Sequence, residues 1–331
     1  MFFLSKKNMS IEEFLSEWND DSPFVHVQTS GSTGAPKPML VEKQRMLNSA
    51  RITCDFLGLQ PGDRALLCMS LDYIAGKMMV VRALERRLEL ITVPPSGHPL
   101  ANLPSHTPHL SFAAMVPMQV YNTLQEPAER ERLMQIRHLI IGGGAIDDAL
   151  AAALKNFPHA VWSTYGMTET LSHIALRRLN GPDASDWYTP FPSVQVSLNA
   201  DDCLVIDAPE VCAERLVTND MAECSGGRFR ILGRKDNVIC SGGIKIQIET
   251  VERQLRPHLS APFLITKGSD AKFGEVVVLL TEGTVEEARR VCAQALPKYH
   301  QPKVYLHVDK IPLTETGKPA RKAAEEIAKS R

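Results

Sequence analysis

Nine residues, Thr29-Ser30-Gly31-Ser32-Thr33-Gly34-Ala35-Pro36-Lys37, bring hydroxyls, two glycines and a terminal lysine directly behind an apolar run. That composition suits phosphate: backbone N–H and hydroxyl groups wrap its oxygens, and glycine lets the chain approach without a Cβ clash. The segment is not a Walker A loop, because Gly34 is followed by Ala35 where that motif needs lysine. A flexible polar turn is the alternative that the composition alone leaves open. Three further segments bear on the choice. Thr164-Tyr165-Gly166-Met167-Thr168-Glu169-Thr170 follows the strand-like Ala160-Val161-Trp162 and sets an aromatic ring, hydroxyls and one carboxylate at a strand end, where α/β ligand sites lie. Thr218-Asn219-Asp220 ends another apolar stretch with a carboxylate able to accept from ribose hydroxyls. Gly233-Arg234-Lys235-Asp236 is a charged turn that runs on through Ser241-Gly242-Gly243 to Glu249 and Glu252.

These segments need a frame to hold them. Ser10 and Glu13 are spaced as a capping box for a helix from Ser10 to Trp18, and Pro23 to Gln28 reads as a buried strand. Helices are expected over Glu42–Leu57 and Gly76–Glu85, and strands over Arg64–Met69, Glu89–Val93, Leu110–Ala114 and His138–Ile141. Helices alternating with short apolar strands give an α/β body. The chain becomes more β-rich from Leu204 to Leu232. Beyond it, helices over Lys245–Leu255, Thr284–Ala295 and Pro319–Ser330 and strands over Ala261–Thr266, Glu275–Leu280 and Val304–Val308 predict a small α+β domain. The boundary is placed at the charged turn, giving domains 1–234 and 235–331.

Composition removes several classes of function. With 331 residues the chain is long enough for about two domains by the ~150-residue prior, and 44% hydrophobic with 23% charged residues argues against disorder, collagen and coiled coil. Basic and acidic residues nearly cancel, 37 against 38 for a net charge of −1, so no global field pulls the protein toward nucleic acid or a membrane. Seven cysteines, odd in number and never in a C-x-x-C pair, favour reduced thiols over a disulfide framework or zinc ribbon. The N-terminus lacks a signal-peptide core and no run reaches the ~18 apolar residues of a membrane span, so the expectation is a soluble, cytoplasmic protein.

Taken together, the motifs resemble those of the adenylate-forming superfamily, which includes acyl- and aryl-CoA ligases, nonribosomal-peptide adenylation domains and luciferases. Thr29 to Lys37 is similar to its phosphate loop, Tyr165 to Thr170 to its adenine and magnesium motif, Thr218 to Asp220 to its ribose motif, and Gly233 to Glu252 to its hinge. Pro312-Leu313-Thr314-Glu315-Thr316-Gly317-Lys318 is similar to its C-terminal catalytic-lysine motif. The resemblance implies a large α/β adenylating domain, shortened at its N-terminus, with a small mobile α+β lid. Its implied cofactors are ATP, Mg²⁺ and coenzyme A. Thr29, Ser30, Thr33 and Lys37, with Gly31, Ser32 and Gly34 of the same loop, would hold the phosphates. Tyr165 and Gly166 would lie at the adenine beside Gly142-Gly143-Gly144. Thr168 would contact the α-phosphate, Glu169 the Mg²⁺, and Asp220 and Arg234 the ribose. Lys318 would bridge the acid and the α-phosphate, Asp236 would be the hinge, and Gly242-Gly243 would enter the site for the CoA step. The phosphate loop stands nearer the start of the chain than in a typical member, and Pro38 replaces the glycine that usually follows the loop lysine.

Leu71 to Arg82 bears on the acid. Its Tyr73, Gly76 and Arg82 keep a spacing that resembles o-succinylbenzoate-CoA ligases of menaquinone biosynthesis, in which the arginine helps to bind the second, aromatic carboxylate. Arg82 stands among Met78, Met79, Val80, Val81 and Ala83. A buried guanidinium there needs an anionic or hydrogen-bonding partner, which an internal salt bridge would equally supply. His173 either lines the same pocket or is a satisfied structural histidine. The reading is an acid:CoA ligase for a small carboxylate, most simply 2-succinylbenzoate. Another aryl- or acyl-CoA ligase, a carrier-loading adenylation enzyme and a silent nucleotide-binding module are the alternatives, and a homodimer stays open.

Overall fold

The computed structural model describes residues 9–28, 38–104, 107–314 and 319–330. They form two compact units. One holds the chain up to Val196 with Ile206–Leu216 and Ser225–Phe229; the other holds Ser197–Val205, Val217–Cys224 and the chain from Arg230 onward.

The first unit opens with helix Ile11–Trp18, whose capping box forms as its sequence predicts: Glu13 N–H donates to Ser10 Oγ, and Ser10 N–H to the Glu13 carboxylate. Strand Phe24–Gln28 then pairs antiparallel with Pro38–Glu42, Gln28 opposite Pro38. Only Val25 and Val27 of that first strand are buried, so the fully buried strand expected from its apolar run is corrected to an alternating one. Two-stranded pairing covers one face and leaves Phe24, His26 and Gln28 outside. Lys77, 2% exposed, ties the strand down by donating to His26 O at 2.5 Å.

Behind it stands a seven-stranded sheet in the order Glu89–Thr92, Arg64–Leu67, Phe112–Met115, His138–Ile141, Ala160–Gly166, His173–Arg178, Thr189–Pro190. The first five strands are parallel and the last two antiparallel. Parallel strands are near-continuous apolar runs because helices cover them, as Phe112–Met115 illustrates with every residue buried. Leu66, Ala113, Leu139 and Val161 share one core with Val120, Leu133, Leu150 and Leu154 from helices Pro117–Gln125, Pro127–Met134 and Asp148–Leu154. The sequence reading did not identify these three helices. Proline at the first position and an Asp147 cap that accepts from Leu150 N–H were the available start signals. Helices Lys43–Leu57 and Ile74–Arg86, both expected, pack on each other.

In the second unit, Ile244–Gln247, Val238–Ser241, Gly274–Thr281 and Phe263–Asp270 form a sheet in that order, and Val304–His307 lies parallel to Gly274–Thr281. Helices Ile248–Leu255 and Val285–Ala295 close its core through Val251, Leu255, Ala288 and Cys292. The helix expected from Lys245 is corrected here: residues 244–247 are a strand, hairpinned to Val238–Ser241 with Ser241 opposite Ile244. Gly242 and Gly243, at φ +56° and +86°, make the two-residue turn, a left-handed pair that favours glycine. No helix among the described residues is long and apolar enough to cross a membrane.

Candidate functional site

Ligands of parallel α/β sheets sit beyond the carboxyl ends of the strands. In the first unit those ends launch three of the expected segments: Ser70 to Gly76 after Arg64–Leu67, Gly142 to Gly144 after His138–Ile141, and Gly166 to Thr170 after Ala160–Gly166. Gly142 donates to Met115 O at 3.1 Å, and a Cβ on it would fall 2.3 Å from Thr164 Oγ1. A side chain at this position would therefore meet the Thr164 hydroxyl, which would have to turn away. The Tyr165 ring is fixed edge-on against Phe229 at 5.1 Å and tilted against Tyr188 at 5.8 Å. Thr168 is buried while Glu169 beside it is exposed, so one turn offers an inward hydroxyl and an outward carboxylate. Thr170 Oγ1 holds that turn, lying 3.1 Å from Met167 N and 2.8 Å from Ser172 O.

The candidate acid-binding residues sit on and beside helix Ile74–Arg86. Tyr73 caps it, partly buried. A Cβ on Gly76 would lie 2.3 Å from Ser70 O, so the helix starts only because this position has no side chain. Gly76→Ala is expected to cost roughly 1–3 kcal/mol by overpacking. A thermal-shift assay reads it as a fall in melting temperature, and an unchanged value would show the turn to be free to move.

Arg82 is 2% exposed, and among the described residues no carboxylate pairs with it. Its Nη2 donates to Ser172 Oγ at 2.6 Å and its Nη1 approaches Met79 Sδ at 3.8 Å. Its Nε has no partner among the described residues, and its guanidinium carbon lies 6.0 Å from the Phe112 ring centre. Burial pushes its pKa down to about 10, which leaves it charged at neutral pH. Among the described residues, the internal salt bridge weighed from sequence does not form. His173 Nδ1 is 3.2 Å from Ser172 Oγ and its Nε2 is 3.2 Å from Thr53 Oγ1. Burial, with the Arg82 charge, holds its pKa well below that of ordinary imidazole, so it is neutral. The sequence reading missed Ser172 and Thr53; adjacency to His173 was the only signal for Ser172, and nothing in the sequence pointed to Thr53.

The second unit brings three expected residues together. Arg234 Nη1 donates to Asp220 Oδ1 at 3.1 Å, and its Nη2 to Asp236 Oδ2 at 2.9 Å. Asn219 also donates to Asp236, at 3.3 Å, so the candidate ribose carboxylate, its arginine and the candidate hinge form one polar chain. Gly242 donates to Phe273 O at 2.9 Å. Thr29, Ser30, Gly31, Ser32, Thr33, Gly34, Lys37 and Lys318 lie outside the described residues.

A family profile described as AMP-binding enzyme matches residues 5–212. Among curated proteins, the chain is 25% identical to a 2-succinylbenzoate--CoA ligase of Bacillus cereus, covering 97% of this chain and 73% of that protein. Among solved structures, it is 34% identical to an acyl-CoA synthetase (AMP-forming)/AMP-acid ligase II-like protein from Dyadobacter fermentans, with TM-score 0.65 and coverage of 94% and 91%. The O-succinylbenzoate coenzyme A synthetase (MenE) of Bacillus subtilis in complex with ATP and magnesium ion matches at 21% identity and TM-score 0.74, covering 90% of this chain and 68% of that one. At that identity the likeness shows the shared fold.

Proposed function

Since the chain belongs to the AMP-binding enzyme family, we propose that it is an acid:CoA ligase, and that its acid carries a second anionic group, as 2-succinylbenzoate does. In the first step one carboxylate oxygen attacks the α-phosphorus of ATP and the bond to pyrophosphate breaks. In the second, the CoA sulfur attacks the acyl carbon, the thiol proton leaves, and AMP departs with its oxygen. Thr29, Ser30, Thr33 and Lys37, with the glycines of their loop, bind the phosphates, and Thr168 the α-phosphate. Tyr165 and Gly142 to Gly144 border the adenine, and Asp220 with Arg234 takes the ribose hydroxyls. Lys318 sits between the two reacting anions, where a cation lowers the barrier to their approach. Asp236 is the hinge between domains 1–234 and 235–331, and Gly242-Gly243 serves the CoA step.

A metal group fits the residues present. Glu169 offers one exposed carboxylate, the protein share suited to Mg²⁺, which keeps most of its shell in phosphate oxygens and water. When bound, Mg²⁺ neutralises phosphate charge.

The observation that carries the acid class is Arg82, a buried cation for which the described residues supply no anion. A second carboxylate on the substrate supplies it, and Tyr73, Gly76 and His173 are assigned to the same acid site in this reading. The names of the curated relatives support 2-succinylbenzoate. Pyrophosphate release across an acid panel tests this reading. For the nucleotide end, Asp220→Ala removes the ribose acceptor and is expected to raise KM for ATP ~10- to 100-fold, the worth of a hydrogen bond to a charged group, with KM for the acid little changed. Equal increases in both would count against a ribose role.

A further inference from the structure

Hydrogen-bond direction around His173 is fixed by its neighbours. Thr53 Oγ1 donates to Ser49 O at 3.0 Å, the carbonyl one helical turn back, so its single proton is spent. It can then only accept from His173, which must carry its proton on Nε2. Nδ1 is left bare and accepts a hydrogen bond from the Ser172 hydroxyl, and the Ser172 oxygen in turn accepts from Arg82 Nη2. The order Arg82 to Ser172 to His173, then to Thr53 and Ser49, is the arrangement in which each donor has its own acceptor.

The backbone that delivers Ser172 is strained. Leu171, 3% exposed, has φ +64°, a conformation that bulky side chains rarely adopt. A Cβ on Gly166 would lie 2.2 Å from Ser172 O, so the strand before the turn is pressed against it. Thr170 Oγ1 contacts Ser172 O at 2.8 Å and holds the turn from inside. Such strain persists where surrounding structure over-determines it, and it gathers at ligand sites. Here its result is a serine hydroxyl 2.6 Å from a guanidinium that no carboxylate among the described residues neutralises.

We propose that Ser172 is a positioning residue of the acid site: its hydroxyl, oriented by His173 and Thr53, locks one edge of Arg82 and leaves Nε and Nη1 to receive the substrate's second carboxylate. The assignment rests on the reading of Arg82 as the anion-binding residue. Because Ser172 follows the Thr168-Glu169 turn directly, one strained loop serves both the nucleotide motif and the acid pocket.

The test compares 2-succinylbenzoate with 3-benzoylpropionate, the same keto acid without its aromatic carboxylate, in wild type, Ser172→Ala, Ser172→Thr and Arg82→Ala. Ser172→Ala is expected to raise KM for 2-succinylbenzoate about tenfold, with kcat and the 3-benzoylpropionate KM unchanged. Ser172→Thr, which keeps the hydroxyl, restores the wild-type KM. In ¹⁵N spectra, the His173 signal, assigned by its loss in His173→Gln, reports an Nε2–H tautomer in wild type and in Ser172→Ala, where Thr53 still accepts from Nε2, and a tautomer mixture in Thr53→Val. An unchanged KM, or an equal rise for both acids, overturns the positioning role. Should Arg82→Ala fail to distinguish the two acids, the Arg82 reading falls, and the relay stands or falls on the His173 tautomer alone.

Discussion

Lys318→Ala is expected to lower pyrophosphate release ~10²- to 10³-fold, the scale set by removing one donor aimed at developing charge. In the proposed first step two anions meet, and Lys318 is the one cationic residue in the sequence of the C-terminal motif. The second step has no such need, because a neutral thioester forms as AMP leaves. The same variant, given pre-formed acyl-adenylate, is therefore expected to transfer the acyl group to CoA at close to the wild-type rate. Measuring the half-reactions separately checks this. A parallel loss in both would mean that the substitution disturbs the fold or that Lys318 does not act on the α-phosphate.

Arg82→Met is expected to make the ligand-free protein more stable while removing its preference for a dicarboxylate. An unneutralised buried charge costs stability, and replacing buried ionic groups by apolar ones of similar volume is often neutral or stabilising by ~1–4 kcal/mol. Arg82 sits on a helix face with Met78 and Met79, so a methionine has apolar neighbours to pack against. At ~2–4 °C per kcal/mol for chains of this class, the apparent melting temperature is expected to rise by several degrees. Saturating 2-succinylbenzoate raises the melting temperature of wild type but not of Arg82→Met, since only the first gains a charge partner. A large fall in melting temperature on substitution would identify Arg82 as a structural cation and remove the main support for the acid class.

How much of this was legible beforehand depended on whether the chemistry was local. The capping box at Ser10 and Glu13, the apolar run His138–Ile141 and the helix expected over Thr284–Ala295 each depend on near neighbours in sequence, and each formed where expected, the last as Val285–Ala295. The Gly242-Gly243 hairpin was equally local, yet the polar, helix-compatible run after it, Lys245 to Glu249, drew the reading to an early helix. The antiparallel strand His173–Arg178 escaped because its apolar start follows the ligand motif without an intervening turn signal beyond Leu171, whose positive φ no sequence rule predicts. For the site, residue types and their order along the chain were the signal for the nucleotide motif. The environment of Arg82 could not be read in the same way, since its partner Ser172 is 90 residues distant and whether it meets a carboxylate is decided by packing. Thr53, 120 residues from His173, was invisible for the same reason.

The most direct test of the account is pyrophosphate release by wild-type protein with ATP, Mg²⁺ and 2-succinylbenzoate, followed by mass detection of the thioester when CoA is added. The account predicts acid-dependent release without CoA in a first turnover, sustained turnover with CoA, and a product with the mass of the 2-succinylbenzoyl thioester. Release with benzoate or fatty acids at equal efficiency would contradict the acid assignment, and no release with any acid would contradict the ligase reading itself.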